Sequence, residues 1–193
     1  MKKYVKLTET GAIEVMGRIP NVSNPTEEAI AEYAAANGYK LLVETPKPGM
    51  YYSNSYVDKG ETIEEVWAPI NLGDAKANAL SILQIRRDSA MCGPDGKGVV
   101  IECSSLPNGI LYNTEASSNA QALMLLTMQG KLPEGQTWTD AADESHPLTQ
   151  ELLTDIATAM LTHANTVQLS VQPARDGVRA AENVDEVEAA LKL

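Results

Sequence analysis

Phenylalanine is absent from this 193-residue sequence, and two Trp and seven Tyr are its only large aromatic rings. Aromatic side chains bury the most surface per residue. The interior therefore has to be built from Leu, Ile, Val, Ala and seven Met, a soft aliphatic packing in which Met fills irregular gaps. Cysteine is nearly as scarce: two Cys give no disulfide framework, and the default is a pair of reduced, buried thiols. Positive charge is short as well. The 15 Lys and Arg face 26 Asp and Glu, for a formal net charge of -11, and the densest basic spots are Lys2-Lys3 and Arg86-Arg87. Such a surface repels phosphate backbones, so no nucleic-acid partner is expected. No apolar run approaches the roughly 18–20 residues of a membrane span, and no charged amino terminus leads into an apolar core. The expectation is a soluble protein made in a cytoplasm, with no membrane partner.

Catalytic signatures are also missing. The chain holds no Gly-x-Ser-x-Gly elbow, His-Glu-x-x-His helix or Gly-x-Gly-x-x-Gly fingerprint. Adjacent carboxylates at Glu27-Glu28 and Glu64-Glu65 do not face each other on a helix or a strand. The most site-like run is MCGPDGKGVVIEC, Met91 to Cys103. A phosphate loop needs four residues between its glycines and then Lys-Ser/Thr; Gly93-Pro-Asp-Gly-Lys-Gly98 has two, a Pro that removes an amide, and no hydroxyl. Zinc sites pair Cys at two to four residues' separation, which Cys92 and Cys103 do not. With Asp95-Gly96 as a hairpin turn, Cys92 would face Val99 and Cys103 would lie about 13 Å further on, too far to bridge. Only a loop centred on Lys97-Gly98 would set the two thiols opposite each other. Cys103 shares a strand face with Val99 and Ile101 and is expected to point inward. His146, beside Asp140, Asp143 and Glu144, superficially resembles an oxygen-rich metal site. Its spacing fits neither a calcium loop nor a zinc helix, so a capped surface loop is expected. His163 falls on an apolar helical stripe and is expected to be packed. No catalytic residue, cofactor or metal set is assigned.

The fold class read from the pattern is α+β: a small β-rich module with one helix at 1–71, then a mainly helical domain with a short β-hairpin at 72–193. Tyr4–Leu7 and Ala12–Val15 form a first hairpin around Thr10-Gly11. In NPTEEAIAEYAAANG, Asn24 is expected to cap a helix, with Pro25 at its first position, Glu27 reaching back, and Gly38 as the left-handed stop. Tyr39–Glu44 is a strand, and Tyr51–Val57 pairs with Thr62–Trp67 around Asp58-Lys-Gly60. Tyr52, Tyr56, Ile63 and Trp67 are expected as cross-strand pairs. A helix over 74–90, with Arg86-Arg87 near its C-terminal end, precedes strands 99–103 and 110–112, the second after a Pro107-Asn-Gly109 turn. Helices are expected over 117–129 and 149–172, the latter with Leu152, Leu153, Ile156, Met160, His163, Ala164 and Val167 on one face. Pro173 and Gly177 should end or kink it. A last helix starts at Asn183, with Glu186 completing its cap and Val187 and Leu191 on one face.

Several runs in the second half, RRDSAM, GILYNTEASSNAQALMLL, TWTD, HPLTQELLTDIATAMLTH and AAENVDEVEAAL, follow one another in an order that resembles an uncharacterised domain of bacteriophage tail-fibre-associated proteins, over about residues 76–193. The first half, with GMYYSNSYVDKGETIEEVW, is similar in style to the short β-rich leaders of phage tail proteins. The resemblance implies a virion structural or assembly role through protein–protein contacts, without catalysis. Its implied partners are phage tail or tail-fibre proteins, or further copies of the chain. Its implied location is the host bacterial cytoplasm during assembly, or the virion tail. The family brings no catalytic residue to transfer. Tyr52, Tyr56, Trp67 and Trp138 are the candidate partner-contact residues, with Trp138 alternatively a plug of the helical core. The contrasting readings are a glycan hydrolase with carboxylates brought together by the fold, and a small-ligand module using Tyr52, Tyr56 and Trp67.

Overall fold

In the computed structural model, which describes residues 2–132 and 134–192, the chain is mixed α+β and divides into two compact units. One holds residues 1–75 with 182–188, the other 76–181 with 189–193.

The first unit opens with the expected hairpin, β1 (Tyr4–Leu7) against β2 (Ile13–Val15). Helix α1 (Glu27–Ala36) follows, and here the cap differs from expectation. Thr26 is the N-cap, with its hydroxyl accepting from the Ala29 amide at 3.2 Å, so Glu27 is the first helical residue and cannot reach back. Asn24 instead takes a left-handed φ of 54°. Two cap-type residues stand two apart, and Thr26 has the extended backbone that a cap requires. Strands β3 (Lys40–Val43), β4 (Tyr52–Asp58) and β5 (Thr62–Pro69) complete a sheet of order β2-β1-β3-β5-β4, antiparallel except where β3 runs parallel to β5. Val5 and Ile63 share one face of it by register, and with Ala34 of α1 they are fully buried.

The second unit is organised on helices. Helix α2 (Leu72–Cys92) runs past the expected end, so Arg86 and Arg87 do not lie in its last turn. Arg86 donates instead to the Leu191 carbonyl at 2.7 Å. Asp95-Gly96 does turn, but between α2 and β6 (Val99–Cys103) rather than between two strands, because Cys92 is still helical. Both Cys are free, and Cys103 is buried as expected.

Strand β7 (Leu106–Tyr112) starts four residues earlier than the sequence suggests. The turn is Ser104-Ser105, and both hydroxyls donate to Asp155. Pro107-Asn-Gly109 is not a turn. It is a bulge in which these three residues oppose Glu102 alone, with Gly109 at φ 72°.

Helix α3 (Thr114–Met128) is capped by Asn113, whose Oδ1 accepts from the Ala116 amide at 2.8 Å. A three-residue hairpin, β8 (Thr137–Thr139) with β9 (Ser145–Pro147), leads into α4 (Gln150–Ala180). This 31-residue helix does not end before Pro173 but continues through it and Gly177. Pro173 lies on the exposed side and its unpaired carbonyl belongs to exposed Leu169, where water can serve it, while Val171, Ala174 and Val178 keep the buried stripe unbroken. Helix α5 (Val184–Ala190), which as far as Glu188 belongs to the first unit, carries the expected cap: Asn183 Oδ1 accepts from the Glu186 amide at 3.0 Å, and Glu186 Oε2 accepts from the Glu182 amide at 2.6 Å. The core of the second unit lies between the β6–β7 hairpin and α4, and is built on Ile110, Leu153, Ile156 and Met160 with Trp138 and Tyr112.

Candidate functional site

The β7 bulge and the five-residue loop between β8 and β9 meet at Asp140. This carboxylate is the buried charged group of the described residues, and its partners come from three segments. Oδ1 accepts from the amides of Ala142 (2.9 Å) and Glu144 (3.0 Å), folding the loop around it. Oδ2 accepts from Asn108 Nδ2 in the bulge (2.9 Å) and from His146 Nε2 in β9 (3.0 Å). Since a carboxylate can only accept, Nε2 is the protonated ring nitrogen. The Ala141 amide adds a bond to the Gly109 carbonyl at 3.2 Å, so the bulge holds the loop from both its side chain and its backbone. Burial pushes the Asp140 carboxyl upward, but the hydrogen bonds from Asn108, His146 and the Glu144 and Ala142 amides together outweigh it and hold the group well below the usual carboxylate range.

Asp140, Glu144 and His146 place ligand-type atoms within 4.8 Å of one another, the arrangement among the described residues nearest to a cation site. The chemistry of the donor set argues against that use. Asp140 already accepts four hydrogen bonds, and a metal or a nucleophilic role would need the same lone pairs. His146 spends its Nε2 proton on Asp140, and Glu144 is exposed. The cluster is suited to fixing a loop on a hairpin.

Of the four residues singled out as partner contacts, Tyr52, Tyr56 and Trp67 lie on the sheet of the first unit and Trp138 belongs to the second. Trp138 lies in β8, directly opposite His146, and is 7% exposed within the helical core. Its indole N–H finds no acceptor among the described residues. That costs roughly 1–3 kcal/mol, against about 4–6 kcal/mol from burying an indole-sized apolar surface, so the ring stays inside. Tyr52, Tyr56, Ile63 and Trp67 share one face of β4 and β5, but the expected cross-strand pairs among them do not form: they stand opposite Pro69, Glu65, Asp58 and Asn54 respectively. Their polar tips are engaged internally. Tyr52 donates to Asp185 of α5 (3.0 Å), the Tyr56 hydroxyl accepts from Asn54 (3.1 Å), and the Trp67 indole donates to the Thr45 carbonyl (3.0 Å). His163 is packed as expected, donating to the Met91 carbonyl at 3.1 Å with its ring 4.9 Å from that of Tyr112.

A different surface, on α3 and α4, went unread in the sequence. Residues 116–130 and 156–174 contain no Asp, Glu, Lys or Arg, in a chain in which 21% of residues are charged. On α3, Leu123-Met-Leu-Leu126 are consecutive, and at 100° per residue four such positions span about 300° of the helix. No single packed face can bury them all. Ala120 is the fully buried α3 residue among those described, while Leu125 is 60% and Met128 81% exposed. On α4, Leu161 and Leu169 are 62% and 70% exposed, among exposed Thr158, Thr162, Asn165, Thr166 and Ser170. Between the two helices runs an apolar groove of about 470 Å³ with Ala157, Ala164 and Ala120 in its lining and Leu125 and Leu161 among its walls. The signal in the sequence was the pair of charge-free runs.

Residues 74–190 match the family DUF4376, a domain of unknown function. No curated protein and no solved structure gives a significant match to the chain.

Proposed function

We propose that the chain, which belongs to the DUF4376 family, is a bacteriophage or prophage tail-fibre-associated structural or assembly protein that works through protein–protein contacts and performs no catalysis. The observation that carries this reading is the uncharged face of α3 and α4. Exposed helix faces of a stable protomer normally carry charge, and large apolar patches at a surface mark contact sites. Here Leu125, Met128, Leu161 and Leu169 are exposed on stretches of α3 and α4 that contain no Asp, Glu, Lys or Arg. The order of the second-half motifs supports the phage setting. The saturated hydrogen bonding of Asp140 supports a scaffold rather than a reaction centre. The protein then works in the host bacterial cytoplasm during assembly, or in the virion tail, with tail or tail-fibre proteins as partners.

The test is peptide mass spectrometry of purified particles and of tail-assembly intermediates from the producing host. The expected result is the chain in one of these fractions at a fixed ratio to a tail protein. Its absence from both, together with turnover of a glycan by the purified chain, would overturn the reading.

A further inference from the structure

We infer that the uncharged α3–α4 face is occupied by the same face of a second copy of this chain, in a twofold pair. The inference rests on the contact role proposed above and names the partner. Charge selects the occupant. A basic partner would be drawn to the carboxylates that give the chain its net charge of -11, and those lie outside residues 116–130 and 156–174. A partner as acidic as the chain itself can approach only where neither surface is charged, and a second copy meets that condition by construction. Shape points the same way. A twofold contact requires one patch to be its own complement. This patch has both halves: Leu125 and Met128 are exposed on α3, and Leu125 borders the groove of about 470 Å³, whose lining includes Ala120, Ala157 and Ala164 together with Met124 and Met160. Leucine and methionine from one copy can enter the groove of the other while returning the same contact. The rest of the exposed α4 face, Thr158, Thr162, Asn165 and Thr166, is polar without charge, so closing the pair strands no ion.

The experiment is light scattering coupled to size-exclusion chromatography of the full chain at about 0.1 mM, a concentration that reports micromolar association. Leu125→Glu and Leu161→Glu are compared with Ile85→Glu, an exposed position on α2 outside the face. All four proteins are checked by circular dichroism and thermal melting, and the wild type is repeated at low and high salt. The expected result is a wild-type dimer that tightens several-fold as salt screens the like charges. Leu125→Glu and Leu161→Glu should be monomers with the wild-type circular dichroism spectrum and a cooperative melt at a modestly lower temperature, since the pairing that favoured the folded state is gone, and Ile85→Glu a dimer. A monomeric wild type, a dimer untouched by both α3–α4 variants, or a dimer that loosens with salt would each overturn the inference. A monomer that still co-purifies with tail proteins would sink the pairing and leave the contact role standing. A dimer absent from every tail fraction would do the reverse.

Discussion

Gly109 and Gly96 have the same backbone conformation, φ 72° in each, and very different surroundings. At Gly96 an added Cβ would meet nothing within 4 Å, whereas at Gly109 it would stand against the Ile101 carbonyl oxygen across the bulge, well inside contact distance. Replacing each by Ala separates the two costs. Gly96→Ala pays only for the left-handed conformation, about 1–2 kcal/mol. Gly109→Ala pays that and must also move backbone against backbone. Such a shift loosens the Ile101–Ile110 pairing and displaces Asn108 from Asp140, at about 1 kcal/mol for each hydrogen bond lost. The sum is about 3–4 kcal/mol, enough to shift a urea midpoint by more than 1 M at an ordinary slope. Equilibrium urea unfolding of the three proteins, followed by far-ultraviolet circular dichroism, reads both numbers, with equal slopes required for the comparison. Equal losses for the two variants would refute the claim that the bulge is a tight junction holding the β8–β9 loop.

Acid should act on the same junction. The Asp140 carboxyl is depressed in the folded state, so its contribution to stability is complete above the ordinary unfolded value of about 3.8 and is lost as pH falls below it toward the folded value. Thermal melts of wild type and Asp140→Asn should therefore differ most near neutrality and converge below about pH 4, and a gap independent of pH would contradict the assignment. Pro173→Ala restores an amide donor to an exposed position inside α4 and should stabilise the protein by up to about 3 kcal/mol; a lower melting temperature would show that Pro173 makes a contact the helix needs. Thiol titration should find Cys92 reacting in the native protein and Cys103, which is buried, only after denaturation.

What the sequence conveyed, and what it withheld, follows from how local each signal is. The α4 stripe from Leu152 to Val167 was legible because a 3.6-residue period repeats over several turns, and every helix of that length buries one face. The cap of α5 was legible because all of it lies within Glu182 to Glu186. The cap of α1 was misplaced because Asn24 and Thr26 are both good caps, and only the backbone, left-handed at Asn24 and extended at Thr26, decides between them. Pro107-Asn-Gly109 reads as a turn in any sequence; that it is a bulge depends on β6 lying alongside. The passage of α4 through Pro173 depends on which side of the helix the proline faces. The Asp140 junction was not legible as such, since Asn108 lies 32 residues away and the loop's acidic composition suggested solvent exposure. The charge-free runs at 116–130 and 156–174 were fully visible, but their meaning required knowing that each includes an exposed face of one of two adjoining helices.

Cover over the α3–α4 face in the working protein should slow exchange at the amides beneath it. Hydrogen–deuterium exchange of α3, residues 114–128, tests it most directly, comparing wild type with Leu161→Glu at the same concentration. A half-uncovered helix with one fully buried residue should exchange readily in a lone protomer. Pairing should give strong protection of α3 in the wild type that disappears in Leu161→Glu, while exchange in β6 and β7 stays the same. Equally rapid α3 exchange in both proteins would contradict it.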